Sequence, residues 1–278
     1  MTTLNKFKIP TLLGLGVILF GIAVGVFLVL REQTFLSSAS PSQIPQNITV
    51  SNIEELSVVI SWQTPSSATG FVKYGQNNAS EKTSLDDRDA NPPAGGPQPH
   101  LIHYVTIKNL LPKTTYQYKI ISGKLTGKIS TFTTSAPSST QNAFGPIIGS
   151  VQDLDKPLDE GIAYLSLSNG VIQTSLIKNL GNFLIPLTSL RKEDLSDILS
   201  LNQEMNAKIT IIAGNNTQAV GVFKLDPEGI NLPPLKLGES VDLTNQPSPT
   251  PTPVADPTIY DLNKDGKINS ADFSIAQK

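Results

Sequence analysis

This 278-residue sequence predicts an all-β fold of two β-sandwich domains in tandem, and three observations lead there. Short runs of alternating apolar and polar residues recur from residue 46 onward, separated by Gly, Pro and Asn. A Ser/Thr-rich break, Thr133-Thr-Ser-Ala-Pro-Ser-Ser-Thr140, divides these runs into two groups. There is no cysteine, so each group must be held by a buried apolar core rather than by a disulfide scaffold. The sequence adds two flanking elements to the sandwiches, an N-terminal transmembrane helix and a short C-terminal helix following a cation-binding loop.

The first element, residues 1–36, combines a short N-terminus with an apolar span. Thr11 to Leu30 carries no charge, and about 20 such residues suffice to cross a hydrocarbon core. Lys6 and Lys8 precede the span, whereas Arg31 is followed at once by Glu32. This bias puts the N-terminus in the cytoplasm and the bulk of the chain outside the cell. The nearest small-residue cleavage site, Ser37-Ser-Ala39, lies well past Leu30, which favours an uncleaved signal anchor over a removable peptide. Gly21 and Gly25 have the spacing that lets two membrane helices approach closely. Residues 37–45 form a short Ser/Pro stalk.

Residues 46–134 supply the first sandwich. Val58, Ile60 and Trp62 fall on one face of a strand, Phe71–Tyr74 follows after a turn, and His103–Ile107 and Thr115–Ile120 complete the alternating set. Ser61-Trp62 followed by Leu110-Leu-Pro112-Lys-Thr114-Thr-Tyr116-Gln-Tyr118 resembles a fibronectin type III domain. The runs Val72-Lys-Tyr74-Gly75 and His103-Tyr-Val-Thr-Ile-Lys-Asn-Leu110 narrow this to the variant at the N-terminus of purple acid phosphatases. The resemblance implies a core role for Trp62 and a tyrosine-corner role for Tyr116. It does not imply phosphatase chemistry, because a two-metal site draws on many His, Asp and Asn ligands, and the chain has two histidines, His100 and His103. These sit where a loop enters a strand without an obvious third ligand, so a structural role is expected. Asp86-Asp-Arg88-Asp89 reads as a solvated loop pinned by Arg88, with a cation or partner site as the alternative. Tyr74, Tyr104, Tyr116 and Tyr118 read as core and cross-strand packing rather than a sugar-stacking platform.

A linker, 135–142, leads to the second sandwich at 143–243. Gly149-Ser-Val151, Gly161-Ile-Ala163-Tyr-Leu165 and Gly181-Asn-Phe183 occur in the order found in carboxypeptidase regulatory-like (transthyretin-like) domains, which this region resembles. That resemblance implies a spacer or binding module. Leu180-Gly181-Asn182 supplies the positive φ a tight hairpin needs, and Ala207–Ala213 with Gln218–Phe223 form strands about an Asn215-Asn216 turn. Between them, Leu190, Leu195, Ile198 and Leu199 fall near helical spacing, so a short helix is expected within Ser189–Leu201.

The last two elements are a Pro/Thr-rich linker at 244–258, semi-rigid because its prolines favour extended polyproline, and a terminal segment at 259–278. In the latter, Asp261, Asn263, Asp265, Asn269 and Asp272 occupy positions 1, 3, 5, 9 and 12 of a loop with Gly266 at position 6. This is the oxygen-donor spacing of a Ca²⁺ loop, with Lys267 offering its backbone carbonyl at position 7. Asp rather than Glu at position 12, together with Ile268-Asn269, makes the segment resemble half of a dockerin type I module. The resemblance implies Ca²⁺ as cofactor and a cohesin-like protein as partner, though a dockerin has two such loops.

Charged residues make up 16% of the chain and its net charge is −2, which leaves no basic face for nucleic acid. The expected function is that of a membrane-anchored, non-catalytic extracellular protein, presenting β-sandwiches and a calcium element to a protein or a cell-surface polysaccharide. The alternative is an accessory or truncated part of a surface hydrolase, either an acid phosphatase or a glycoside hydrolase of a dockerin-bearing system.

Overall fold

The computed structural model describes residues 41–89, 96–178 and 180–245. The apolar run at 11–30, most of the stalk, the spacer at 246–253 and the loop at 261–272 lie outside these residues. Within them the chain is all-β, organised as tandem β-sandwich-like regions, and its helical turns are two three-residue 3₁₀ pieces. No helix among the described residues is long and apolar enough to cross a membrane.

The first region contains β1 (Gln46–Ser51), β2 (Val58–Ala68), β3 (Gly70–Gly75), β4 (Lys82–Leu85), β5 (His100–Ile107), β6 (Thr115–Ser122), β7 (Leu125–Thr126) and β8 (Ser130–Thr133). One sheet has the order β1-β2-β5, and the other β4-β3-β6-β7 with β8 beside β6. In β6, alternation matches burial, because Tyr116, Tyr118, Ile120 and Ser122 point inward while their neighbours are partly or fully exposed. The register sets Tyr74 opposite Tyr118 and Val72 opposite Ile120, so aromatic and branched side chains pair across the ladder. Strand β2 departs from simple alternation, since Val58 through Thr64 are all buried. Its second face is covered as well as its first: Gln63 accepts from the Asn47 amide at 2.8 Å.

The second region contains β9 (Ile147–Asp153), β10 (Lys156–Pro157), β11 (Glu160–Leu167), β12 (Gln173–Lys178), β13 (Asn182–Ile185), β14 (Asn206–Ala213), β15 (Gln218–Lys224), β16 (Ile230–Asn231), β17 (Leu235–Lys236) and β18 (Ser240–Asp242). The sheet runs β10-β9-β13-β12-β11-β14-β15-β18, and β16 and β17 return to pair with β9. Most ladders are antiparallel, but β16 and β17 lie parallel to β9, and β18 lies parallel to β15. The sheet therefore curls back on itself. Leu235 of β17, which pairs with Val151 of β9, comes within 3.5 Å of where a Cβ on Gly221 of β15 would stand. The enclosed core is aliphatic, with Ile147, Val151, Leu165, Ile177, Ile185 and Ile209 wholly buried.

The turn before β13 is as the sequence requires, with Leu180 and Gly181 at φ 73° and 69°. A Cβ on Gly181 would also lie 2.3 Å from the Val151 carbonyl, so close backbone approach reinforces the need for glycine. The Asn215-Asn216 turn joins β14 to β15, with Asn216 at φ 64°.

The helix expected within Ser189–Leu201 is absent, and this reading is corrected. The segment instead pairs with itself and its neighbours through the bridges Arg191↔Ile198 and Gly170↔Lys192. Leu195 sits at φ 61°, outside the right-handed helical region, and Asp194 accepts from the Ser196 amide, an Asx turn that competes with helix. Leu190, Ile198 and Leu199 are buried, so apolar spacing marked core positions correctly while the local geometry differed.

Described residues fall into two compact units. One holds those up to Ile48 with Trp62–Val105 and Tyr116–Thr131; the other holds Thr49–Ser61, Thr106–Thr115 and those from Phe132 onward. The second unit contains a reciprocal amide contact. Asn52 Nδ2 donates to the Thr174 carbonyl at 3.0 Å while Thr174 N donates back to Asn52 Oδ1 at 2.5 Å. Asn52 N also donates to the Ile172 carbonyl at 3.0 Å.

Candidate functional site

The acidic cluster of the first unit is interior, which corrects the expectation of a solvated loop. Asp86 is fully buried and Asp89 is 1% exposed. Asp86 follows β4, and its Oδ1 accepts from the Arg88 amide at 3.1 Å, which starts a short 3₁₀ turn at Asp87–Asp89. That turn swings Arg88 back so that Nε reaches Asp86 Oδ1 at 2.9 Å and Nη2 reaches Oδ2 at 3.0 Å. Arg88 Nη2 also donates to the Ile102 carbonyl. On the far side, the Tyr104 amide of β5 donates to Asp86 Oδ2 at 3.0 Å. Because β4 and β5 belong to different sheets, one carboxylate ties the two together.

His103 completes the cluster. Its Nδ1 stands 3.5 Å from Asp86 Oδ2, an ion-pair distance longer than a well-made hydrogen bond. Its ring stacks on Trp62 with centroids 4.7 Å apart and planes 15° from parallel. His100 meets His103 edge to face at 6.5 Å. Gly70 makes room for the stack, since a Cβ there would be 2.4 Å from His103 Nδ1 and 2.7 Å from Trp62 Cζ2.

Burial alone would push the Asp86 carboxyl up; the His103 contact, the Arg88 hydrogen bonds and charge, and the Tyr104 amide outweigh it and hold the group well below the usual carboxylate range. Asp86 is thus a permanent anion matched to a permanent cation. It has no use as a proton donor or acceptor near neutrality. Among the described residues, no three His, Cys, Asp or Glu side chains are grouped to hold a metal.

The tyrosines are packing residues. Tyr74, Tyr104, Tyr116 and Tyr118 are between 5% and 7% exposed, and Tyr74 meets Tyr116 edge to face at 6.3 Å. Burial raises the Tyr74 and Tyr118 hydroxyls above their ordinary values. Trp62, fully buried, occupies the core position its resemblance implied.

Two concavities stand out. One is an apolar cleft of about 490 Å³ in the first unit, lined by Ile44, Pro45, Ile48, Leu125 and Lys128 among others. The second is a polar cavity of about 370 Å³ in the second unit, bounded by Glu54, Glu55, Ser139, Thr140, Gln141 and Arg191. Neither was anticipated from the sequence. The expected calcium ligands Asp261, Asn263, Asp265, Lys267, Asn269 and Asp272 lie outside the described residues.

Fold and site together define a tandem β-sandwich-like chain whose first charged cluster is structural. The model of the purple acid phosphatase N-terminal domain matches residues 44–134, and this segment is a domain of that fibronectin type III-like kind. No curated protein matches the chain. Among solved structures, a computationally redesigned β-sandwich protein is 27% identical over 34% of this chain and 96% of its own, with a TM-score of 0.26. The sensor domain of the anti-sigma factor RsgI4 of Pseudobacteroides cellulosolvens is 22% identical over 36% of this chain and all of its own, TM-score 0.25. The FN1–FN3 domains of chicken CNTN1 are 11% identical over 73% of this chain and 68% of theirs, TM-score 0.26.

Proposed function

We propose that the chain is a membrane-anchored, non-catalytic surface protein that carries β-sandwich modules outward and ends in a calcium-ordered interaction element. The observation that carries the non-catalytic reading is the state of the acidic cluster in the first unit. Asp86, a candidate acid, base or ligand by residue type, is sealed in the interior and neutralised by Arg88. A phosphatase-type N-terminal domain in this role is a strut and not a chemical module. Anchoring is supported by the uncharged run Thr11–Leu30 and the preceding Lys6 and Lys8. The carboxypeptidase regulatory-like reading of 143–243 is supported by the order of its glycine-marked strands, and it makes that region a second spacer or a binding module.

At the far end, Asp261, Asn263, Asp265, Asn269 and Asp272 offer hard oxygen donors, with the Lys267 carbonyl, and this donor set suits Ca²⁺ rather than a softer transition metal. Closely spaced carboxylates repel until a cation neutralises them, so calcium binding and ordering of the segment are one event. Its partner is a cohesin-like protein or a cell-surface polysaccharide.

The test is calorimetric titration of the full chain in lipid nanodiscs with Ca²⁺. The expected result is a binding isotherm that disappears in the Asp261→Ala/Asp265→Ala double variant; an unchanged isotherm refutes the site. Sustained hydrolysis of a phosphomonoester or a glycoside by the same preparation, with divalent metal added, overturns the non-catalytic reading.

A further inference from the structure

We infer that the end of the first unit where the chain enters it docks on the surface of an anionic bilayer, with the apolar cleft beside Ile44 and Ile48 facing the lipid and Lys124 and Lys128 against its headgroups. This deepens the proposed function and rests on its membrane anchor. It adds an orientation of the first domain and a lipid charge, neither of which the anchor alone requires.

The cleft is where the apolar exposure of the first unit is gathered. Ile44, Ile48 and Ile129 are 51%, 49% and 62% exposed, and among the described residues they are the exposed large hydrophobic side chains of this unit. Ile44 and Ile48 line the cleft with Leu125, and Ile129 stands between Lys128 and Ser130, which line it too. Tyr118 and Ile120 of β6, both buried, form its back. Single exposed apolar side chains are ordinary, but several around one cleft mark an interaction surface.

Charge is divided across the same sheet. In the order β4-β3-β6-β7, the described acids of the unit, Glu81, Asp86, Asp87 and Asp89, fall immediately before or after β4. The cleft is at the opposite edge, on β7 and the turns that flank it. No Asp or Glu occurs between Asp89 and Asp153, nor between Glu32 and Glu54, so every segment that lines the cleft lacks an acid. Lys124 and Lys128 are exposed, and among the described residues neither forms an ion pair. Apolar side chains flanked by cations, with no acid among them, match an anionic bilayer: the apolar groups reach the acyl boundary while the lysine stems carry their ammonium groups to phosphate level.

The course of the chain brings this surface to a membrane. Pro41–Gln43 forms a short turn, held by Ser66 Oγ donating to the Ser42 carbonyl at 3.1 Å and by Ser122 Oγ donating to the Gln43 carbonyl at 2.8 Å. Ser122 ends β6 and Gly123-Lys124 leads into β7, so the point of entry adjoins both the cleft and Lys124. Ten residues, 31–40, separate that turn from the apolar run ending at Leu30, and ten residues reach at most about 36 Å. On so short a tether the cleft stays near the lipid, and docking does not bear the cost of free association.

The chain has no cysteine, so one introduced thiol carries one fluorophore. The label is placed by Thr126→Cys, at the cleft, or by Asn77→Cys, in an exposed turn after β3. Because Gly70 pairs with Ser122 and Gly75 with Gln117, the Asn77 turn lies at the end of β3 away from the chain entry. The full chain is loaded into nanodiscs of phosphatidylcholine with or without phosphatidylglycerol, each holding a headgroup spin-labelled lipid as quencher, and co-elution with the disc is recorded first. Strong quenching is expected at 126 and little at 77, greater with phosphatidylglycerol and relieved by salt. Each lysine near an anionic surface shifts such an equilibrium by about fivefold, so Lys124→Gln with Lys128→Gln should lower the docked-to-undocked ratio by about 25-fold. Both lysines are exposed, and an unchanged urea midpoint of Trp62 fluorescence separates this loss from unfolding. Failure to co-elute with the disc overturns the anchor and this inference with it. Co-elution with equal quenching at the two labels, equal quenching with and without phosphatidylglycerol, or indifference to the lysine substitutions overturns the docking alone. Label-to-label quenching between two copies in one disc, independent of lipid charge, assigns the cleft to a second copy and likewise overturns the docking.

Discussion

Replacing Asp86 with Asn tests whether the buried carboxylate holds the first domain together. The substitution keeps size and one carbonyl oxygen but removes the charge. The one oxygen that remains cannot serve both arms of the Arg88 fork, so either the Nε bond to Oδ1 at 2.9 Å is lost, or the Nη2 bond to Oδ2 at 3.0 Å is lost together with the acceptor of the Tyr104 amide. Removing one partner of a buried pair costs about 3–5 kcal/mol, because the other is left charged in the interior. For a domain of about 90 residues, 1 kcal/mol displaces the melting temperature by about 4–8 °C, so the variant domain is expected to be largely unfolded at physiological temperature. The assay is built into the chain. Trp62 is its single tryptophan and stacks on His103 beside the cluster, so intrinsic fluorescence during urea titration reports on this region. A loss below about 1 kcal/mol, the range of an exposed pair, would refute the interior role. The same reasoning gives a pH dependence. The folded carboxyl titrates well below its unfolded value, so its stabilisation is complete above the ordinary carboxylate range and is lost progressively as pH falls from about 4. Asp86→Asn should flatten that acid limb.

Three further outcomes are expected. Gly70→Ala introduces a Cβ 2.4 Å from His103 Nδ1 and should cost about 1–3 kcal/mol by overpacking, read as a lower urea midpoint of Trp62 fluorescence. Asn52→Ala removes the side-chain half of the reciprocal contact with Thr174 and puts a β-carbon-only residue at φ 47°; a loss of about 1–3 kcal/mol should appear by calorimetry as a lowered transition of the second unit. Chelation of calcium should leave the Trp62 unfolding curve where it was while changing the proteolysis of the terminal segment, since the loop at 261–272 is separated from the sandwiches by a proline-rich spacer.

The strands were the legible part, and the reason is periodicity. Alternation at Thr115–Ile120 and at Ala207–Ala213 reports a half-buried ladder directly, and the turn residues Gly181 and Asn216 marked where chain reversal demanded positive φ. Local pattern failed where distant groups decide the outcome. Asp86 looks like a surface acid pinned by its neighbour Arg88 until the Tyr104 amide, 18 residues on in β5, closes over its other side. Leu190, Ile198 and Leu199 carry helical spacing by chance, because bridges to Gly170 and across Arg191↔Ile198 bury them without a helix. Arg191 gave no signal at all: an isolated arginine in a polar stretch is ordinarily exposed, and only the tertiary walls enclose it.

The parallel ladders of the second region bear on how the chain responds to a pull. Load entering ahead of β9 and leaving after β18 runs along strands whose partners point the same way, β16 and β17 beside β9 and β18 beside β15. Ile230 N to Pro146 O, Leu232 N to Ile148 O and Leu237 N to Gln152 O are then strained together, sideways, instead of parting one after another like a zip. Tension applied across this region therefore meets a clamp, and the time before it gives way is set by the height of the rupture barrier rather than by the domain's resting stability.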